Sequence, residues 1–341
     1  MKIKERKDQF NPKNERIKYQ YRIHIKRAIK KDEKTMIAEL KYLREYELFD
    51  NFANFETYNS TKADKYINHL FDKDYSLSYI NDALRTLKVF LTWLERQKGY
   101  KSKINYNDID YLNITNNQRR ASKATEHKKS YSFEQIIKTI RQMPSGTMIE
   151  RRNRAIVSAN ALCSLRISEL RTVKLKNLIE EEGKCFIHIN PKDIDSKFAK
   201  TRYADFIQLP QDIFDNLINW KNELISKYQF TAKDPLFSKI PSNFNQLNLL
   251  ESTLTKEEIK SGSQMRDIFK SAFEKAGFEY INPHNFRHTR ARFASKQSPQ
   301  YLNATRQALG QKNIDTTLGS YGELSMYEQR EVISSIKISN D

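Results

Sequence analysis

Residues 116–129 read NNQRRASKATEHKK, and none of these side chains is both apolar and larger than alanine. A stretch like this cannot run through a hydrophobic interior. The chain is therefore expected to fold as two bodies with a basic linker between them. Its 341 residues are enough for two domains. On this reading, residues 1–35 form a basic N-terminal arm or helix and 36–115 a helical domain. Residues 116–130 form the linker, and 131–341 a second, larger domain.

Apolar spacing predicts helices on both sides of the linker. In TMIAELKYLREYELFDNF, Ile37, Leu40, Leu43 and Leu48 recur near helical spacing. In SLSYINDALRTLKVFLTWLERQKGY, Ile80, Leu84, Leu87 and Leu91 do so by threes and fours, with Ser78 as the cap and Gly99 as the stop. Beyond the linker, Ser132 and Gln135 have capping-box spacing, ahead of a face of Phe133, Ile136, Ile137, Ile140 and Met143. Another helix covers about residues 151–162. KCFIHI and YADFIQL read as strands, and helices dominate from there to the C-terminus.

The charge is lopsided. Sixty Lys and Arg against 42 Asp and Glu give a net +18, and residues 1–35 alone hold 13 basic against 5 acidic side chains. Such a field draws in polyanions, nucleic acid first among them. Lys62, Lys65, Arg85 and Lys88 lie between apolar positions, where they can face phosphates or water. Cys163 and Cys185 make neither a CxxC pair nor a zinc spacing, which fits a reducing cytoplasm. No apolar run reaches the ~18 residues of a membrane span. With only eight glycines there is no GxxxxGK[ST] phosphate loop, so ATP hydrolysis is not expected.

PHNFRHTRARF, residues 283–293, puts two histidines and three arginines into eleven positions. Asn282 is a suitable N-cap and Pro283 a suitable first helical residue, so a helix is predicted here. Phe286 and Phe293, seven apart, would share the core face. His284 and Arg287 would share the N-terminal end, where free N–H groups favour phosphate. His284 and His288 have a metal-ligand spacing, but HExxH lacks its glutamate here and three arginines would repel a cation.

HNFRH resembles the HxxR box of the tyrosine recombinases, the phage-integrase and Xer-like family. Three further segments follow the family's order. LCSLRISEL resembles the box with its first arginine, Arg166. AKTRYADFIQLP resembles the β-hairpin carrying its lysine. ALGQKNIDTTLGSYGEL resembles the terminal box ending in its tyrosine, Tyr321. The resemblance covers about residues 131–337. It implies a mainly α fold with a small antiparallel β-sheet in the catalytic domain, in a two-domain C-shaped clamp on duplex DNA. It also implies inverted-repeat recombination sites, a homotetramer on synapsed DNA (monomer or dimer otherwise), and exchange of a C-terminal segment such as residues 326–337. No cofactor or metal is implied.

In the implied reaction, Tyr321 attacks phosphorus to give a 3′-phosphotyrosine and free a 5′-hydroxyl. Arg166 and Arg287 hold the nonbridging oxygens, and His284 accepts a proton or bonds the phosphate. Lys200 protonates the leaving oxygen, with Lys197 as the competitor because the loop register is open. Arg166 can instead be read as a helix-surface partner of Glu169, and Tyr327 is the nearest alternative to Tyr321. The sequence departs from the family's pattern in two places. Gln311 stands where LGH has histidine, and Ser164 where glycine often precedes Leu-Arg. Two alternative functions use the same residues: a DNA-binding protein on an inactive recombinase scaffold, and a type IB topoisomerase.

Overall fold

The computed structural model describes residues 9–123, 129–196, 200–240 and 254–311. The chain divides into two units, Met1–Glu126 and His127–Asp341. None of the described helices is long and apolar enough to cross a membrane.

The first unit is helical: α1 (Pro12–Arg27), α2 (Glu33–Phe49), α3 (Ser60–Asp72), α4 (Leu77–Glu95), the short α5 (Tyr106–Ile109) and α6 (Asn116–Lys123). α4 supplies the centre of its core, burying Ile80, Leu84, Leu87 and Leu91 as their spacing predicts. Its cap is Ser76, which accepts from Tyr79 N–H, and not Ser78. Ile37 of α2 is 48% exposed. The buried face of that helix runs through Met36, Leu43 and Tyr46, with Leu40 packed against the same core, so Leu40 and Leu43 of the predicted stripe face inward and Ile37 does not.

Two sequence expectations change here. Residues 12–27 are helical, as the expected arm or helix allows, but they are not separate from the unit, because Ile17, Tyr21 and Ile25 of α1 lie in its core. Residues 116–123 are helical, and α6 lies against α4. The cause is a cap that composition hides. Thr115 N–H donates to Gln118 Oε1 at 2.9 Å, and Gln118 N–H donates to Thr115 Oγ at 3.2 Å. This is a reciprocal capping box, readable as T-x-x-Q.

The second unit comprises α7 (Phe133–Gln142), α8 (Met148–Cys163), α9 (Ile167–Thr172), a sheet, α10 (Gln211–Ser226), α11 (Gly262–Lys275), α12 (Asn285–Ser295) and α13 (Pro299–Leu309). Ser132 and Gln135 form the predicted capping box of α7. α8 is buried almost all round, and α10 packs along it through Ile213, Leu217 and Trp220. The sheet has three antiparallel strands in the order β1 (Leu178–Glu181), β2 (Lys184–Ile189), β3 (Arg202–Asp205). The fold is therefore mainly α with a small antiparallel sheet. Sequence patterning does not predict β1, although Glu182 (φ 50°) and Gly183 (φ 72°) make a two-residue turn with both residues left-handed. Such a turn suits a tight hairpin. Ile207 N–H donates to Leu162 O at 3.0 Å, fastening the exit of β3 to the end of α8. The sheet thus sits beside the turn that carries Arg166.

Candidate active site

α8 ends at Cys163, and Ser164 turns the chain in the left-handed region (φ 52°, ψ 50°). This is the conformation that favours glycine after a helix, and it gives a physical reason why glycine suits this position. Leu165 then plugs the core, and Arg166 begins α9. Glu169, three residues on, accepts from the Arg166 backbone N–H at 2.8 Å and from Arg166 Nη1 at 2.9 Å. The Arg166–Glu169 pair is real, but it is not a surface feature, because Glu169 is fully buried.

Burial alone would raise the Glu169 pKa. The charges of Arg202, Arg166 and Arg287 outweigh it and hold the carboxyl below its ordinary value. Glu169 is the only buried carboxylate among the described residues of this unit, whereas Arg152, Arg287 and Arg290 are all buried. Burial pushes the Arg290 pKa down, and its Nη1 donates to Asp205 O at the end of β3 at 2.9 Å. Around Glu169 itself, Arg166, Arg202 and Arg287 outnumber the one carboxylate, and that local excess of positive charge suits an anionic substrate.

α12 starts later than predicted. Residues 283–284 form a turn, Asn285 is the first helical residue, and the Asn282 side chain accepts from His284 N–H at 3.0 Å. Proline at 283 is accommodated in that turn. The helix is no solvated basic face, since Arg287, His288 and Arg290 are all buried. Phe286 is core as expected, but Phe293 is 43% exposed and meets Phe133 edge-on at 5.4 Å. Seven residues on a 3.6-residue helix drift round the axis, and Ala294 takes the inward position. The His284 and His288 rings meet edge-on with centroids 5.7 Å apart. Among the described residues, no group of three or more His, Cys, Asp or Glu is arranged to hold a metal.

Arg287 is 1% exposed and ties three segments together. Its Nη1 donates to Ser164 O at 2.9 Å, and its Nη2 donates to Leu309 O at the end of α13. Gly310 ends that helix in the left-handed region (φ +66°). Gln311 follows, its N–H donating to Arg306 O and its carbonyl accepting from Arg306 Nη1, both at 3.1 Å. Arg166, Arg287 and Gln311 thus come together through Glu169, Ser164 and the end of α13. Lys200 is exposed on the segment entering β3. Lys197, Tyr321, Tyr327 and residues 326–337 lie outside the described residues.

Sequence reasoning missed Arg202. Its Nη2 donates to Glu169 Oε2 at 2.7 Å and its Nη1 to Ala308 O at 2.8 Å. The only signal was its place two residues after Lys200, and period-2 patterning does not predict an inward-reaching, half-buried arginine at a strand start.

A family model described as the phage integrase family matches residues 129–327. A probable integrase/recombinase of Aquifex aeolicus is 25% identical over 322 residues, covering 89% of this chain and 94% of that protein. Tyrosine recombinase XerC of Lactobacillus delbrueckii subsp. bulgaricus is 27% identical over 185 residues, 54% of this chain and 55% of XerC. Among solved structures, a lambda integrase (75–356) dimer bound to a COC′ core site aligns with a TM-score of 0.62 at 14% identity, covering 96% of this chain and 99% of that one. The XerH recombinase bound to palindromic difH substrate in a post-cleavage complex aligns with a TM-score of 0.62 at 18% identity, covering 87% and 77%. With the matched model spanning more than half of its length, the chain belongs to the phage integrase family and is a tyrosine-type site-specific recombinase.

Proposed function

We propose that this chain cleaves and rejoins duplex DNA through a 3′-phosphotyrosyl intermediate on Tyr321. The observation that carries the reading is the convergence of Arg166 and Arg287, from separate elements, on one network with Glu169 and the end of α13. Both guanidiniums are fixed by the protein's own acceptors, Arg166 by Glu169 and Arg287 by the carbonyls of Ser164 and Leu309. Fixed donors placed where charge develops usually supply most of the rate enhancement in such catalysis.

Tyr321 Oη forms a bond to phosphorus as the P–O5′ bond breaks. Its proton passes to His284 or to solvent through it, while Lys200 protonates the departing 5′-oxygen. Arg166, Arg287 and the Gln311 amide donate to the nonbridging oxygens. Attack by a 5′-hydroxyl on the phosphotyrosine reverses the sequence, so bond energy is conserved and no nucleotide hydrolysis is needed. The expected partners are duplex DNA with inverted-repeat sites and further copies of this chain, four of them on synapsed DNA, with the two units forming a clamp. Support for these partners comes from the family and from neighbours solved on DNA, one of them a lambda integrase tetramer bound to a Holliday junction.

The test uses a nicked duplex recovered from a randomised-sequence pool by covalent attachment to the wild-type chain. Tyr321→Phe keeps the ring and removes the nucleophile, so it should bind that duplex and form no detergent-resistant adduct. An adduct that persists in the variant moves the nucleophile elsewhere, with Tyr327 the next candidate. A pool that yields no adduct with wild type sinks the reading and favours the inactive scaffold.

A further inference from the structure

We propose that Arg202 is a positioning residue that sets where Lys200 stands relative to the arginines of the site. This rests on the recombinase reading above. The register of the hairpin pairs Ile189 with Arg202, and β3 begins there. Lys200 and Thr201 therefore extend beyond the last paired residue, on a segment with no ladder of its own. Whatever fixes Arg202 fixes the base of that segment.

Arg202 is fixed from three sides. Its side chain is only 8% exposed, and its Nη2 reaches Glu169 Oε2 at 2.7 Å, the same carboxylate that holds Arg166. Its Nη1 reaches Ala308 O at 2.8 Å, in the last turn before Gln311. Its stem lies against Gly310, where a Cβ would fall 2.7 Å from Arg202 Cδ and 2.8 Å from Nε. The glycine serves two purposes, allowing the positive φ and leaving room for the arginine.

One side chain thus joins the strand after the lysine to the turn with Arg166 and to the helix end before Gln311. A planar fork can hold a carboxylate and a carbonyl in fixed directions at once; a lysine ammonium at the same place cannot. A general acid works only within hydrogen-bond reach of its target. Loss of the fork should therefore act on the reaction as loss of the lysine does.

The experiment compares full-length wild type, Lys200→Ala, Arg202→Ala, Arg202→Lys and Gly310→Ala on the selected nicked duplex. The scissile 5′-bridging atom is either oxygen or sulfur. A thiolate leaves without a proton, so the sulfur duplex needs no general acid. On oxygen, Arg202→Ala and Gly310→Ala should cleave about 100-fold more slowly, at the low end of a general acid's usual contribution. Arg202→Lys should fall between these variants and wild type. On sulfur, which needs no general acid, all of them should recover to within about 10-fold of wild type. A merely structural arginine would lower both rates together, and unrescued loss in variants that melt like wild type overturns the proposal. So does wild-type cleavage of oxygen by Arg202→Ala. Failure of wild type to cleave either duplex overturns the recombinase reading and this proposal with it. Rescue of Arg202→Ala without rescue of Lys200→Ala overturns the link to Lys200.

Discussion

Arg166 and Glu169 are bonded twice, Glu169 Oε2 accepting from the Arg166 backbone N–H at 2.8 Å and Oε1 from Arg166 Nη1 at 2.9 Å. The first bond caps α9 and the second aims the guanidinium, so one carboxylate sets both the start of the helix and the direction of the side chain. Because Glu169 also receives Arg202, its ionisation couples the folding of this turn to the geometry of the site.

This coupling predicts a pH signature. The folded Glu169 carboxyl is held below its ordinary value of 4.5, so the stability it contributes is present above that pH and is lost as pH falls through the folded value. Glu169→Gln offers one oxygen and a donor NH₂ where three donors point at the carboxylate. At pH 7 it should cost about 2 kcal/mol. Thermal melts from pH 3 to pH 7 should show the variant well below wild type near neutrality and the gap closing in acid. A constant gap would place the effect outside Glu169 ionisation.

Ser164 gives a prediction of opposite sign. Its left-handed backbone penalises a Cβ, and its hydroxyl has only a 3.5 Å contact with Phe286 O to offset that. Ser164→Gly keeps the carbonyl that receives Arg287 Nη1. It should raise stability by about 0.5–1 kcal/mol, the relief of left-handed strain less the extra entropy of glycine. Denaturant midpoints decide it, and cleavage should be unchanged. A drop in midpoint would mean that the hydroxyl contributes more than the strain costs.

These two residues show what was legible in the sequence and what was not. Helices with strong periodicity were, because Ile80, Leu84, Leu87 and Leu91 have one face to bury. Arg166 and Arg287 were legible as candidates through their boxes, since a box is a local string. Links formed by tertiary contact were not. Nothing in KTR says that Arg202 lies against Gly310, 108 positions away. Composition misled at residues 116–123, where a polar stretch took helical form because Thr115 and Gln118 cap it and α4 offers a surface. It misled again at residues 12–27, where high charge masks the helical spacing of the three core residues Ile17, Tyr21 and Ile25.

Gln311 is predicted to act as a neutral donor. Its side-chain NH₂ can bond a nonbridging oxygen but does not titrate. Gln311→Ala should slow single-turnover cleavage by about 10–100-fold, near or below the cost of an oxyanion donor. Gln311→His should stay active and gain a pH dependence near ~6.5, where histidine changes charge. Rates from pH 5.5 to 8.5 on the selected duplex test both. Wild-type speed in Gln311→Ala across that range would remove Gln311 from the transition state.

The core position of α1 changes how DNA binding by the basic N-terminal region has to be tested. Deleting residues 1–35 would remove Ile17, Tyr21 and Ile25 from the first unit's core, and any loss of binding would then report unfolding. The charges of this helix differ in availability. Lys18 is paired with Glu47 at 2.5 Å and Glu15 at 2.6 Å, and Glu47 is fully buried, whereas Arg16, Lys26 and Arg27 are exposed. If the exposed three neutralise phosphates, the slope of log affinity against log salt should flatten by about 0.9 for each phosphate left without its cation. The Arg16→Ala, Lys26→Ala, Arg27→Ala triple variant should therefore flatten the slope by up to about 2.7 while melting like wild type. Lys18→Ala should do the reverse. It strands a buried carboxylate, which costs about 3 kcal/mol, and in whatever fraction stays folded the salt slope should not move. Titrations of the selected duplex between 50 and 200 mM salt separate the two. A triple variant with the wild-type slope would assign phosphate binding to other elements and leave α1 as a purely structural helix.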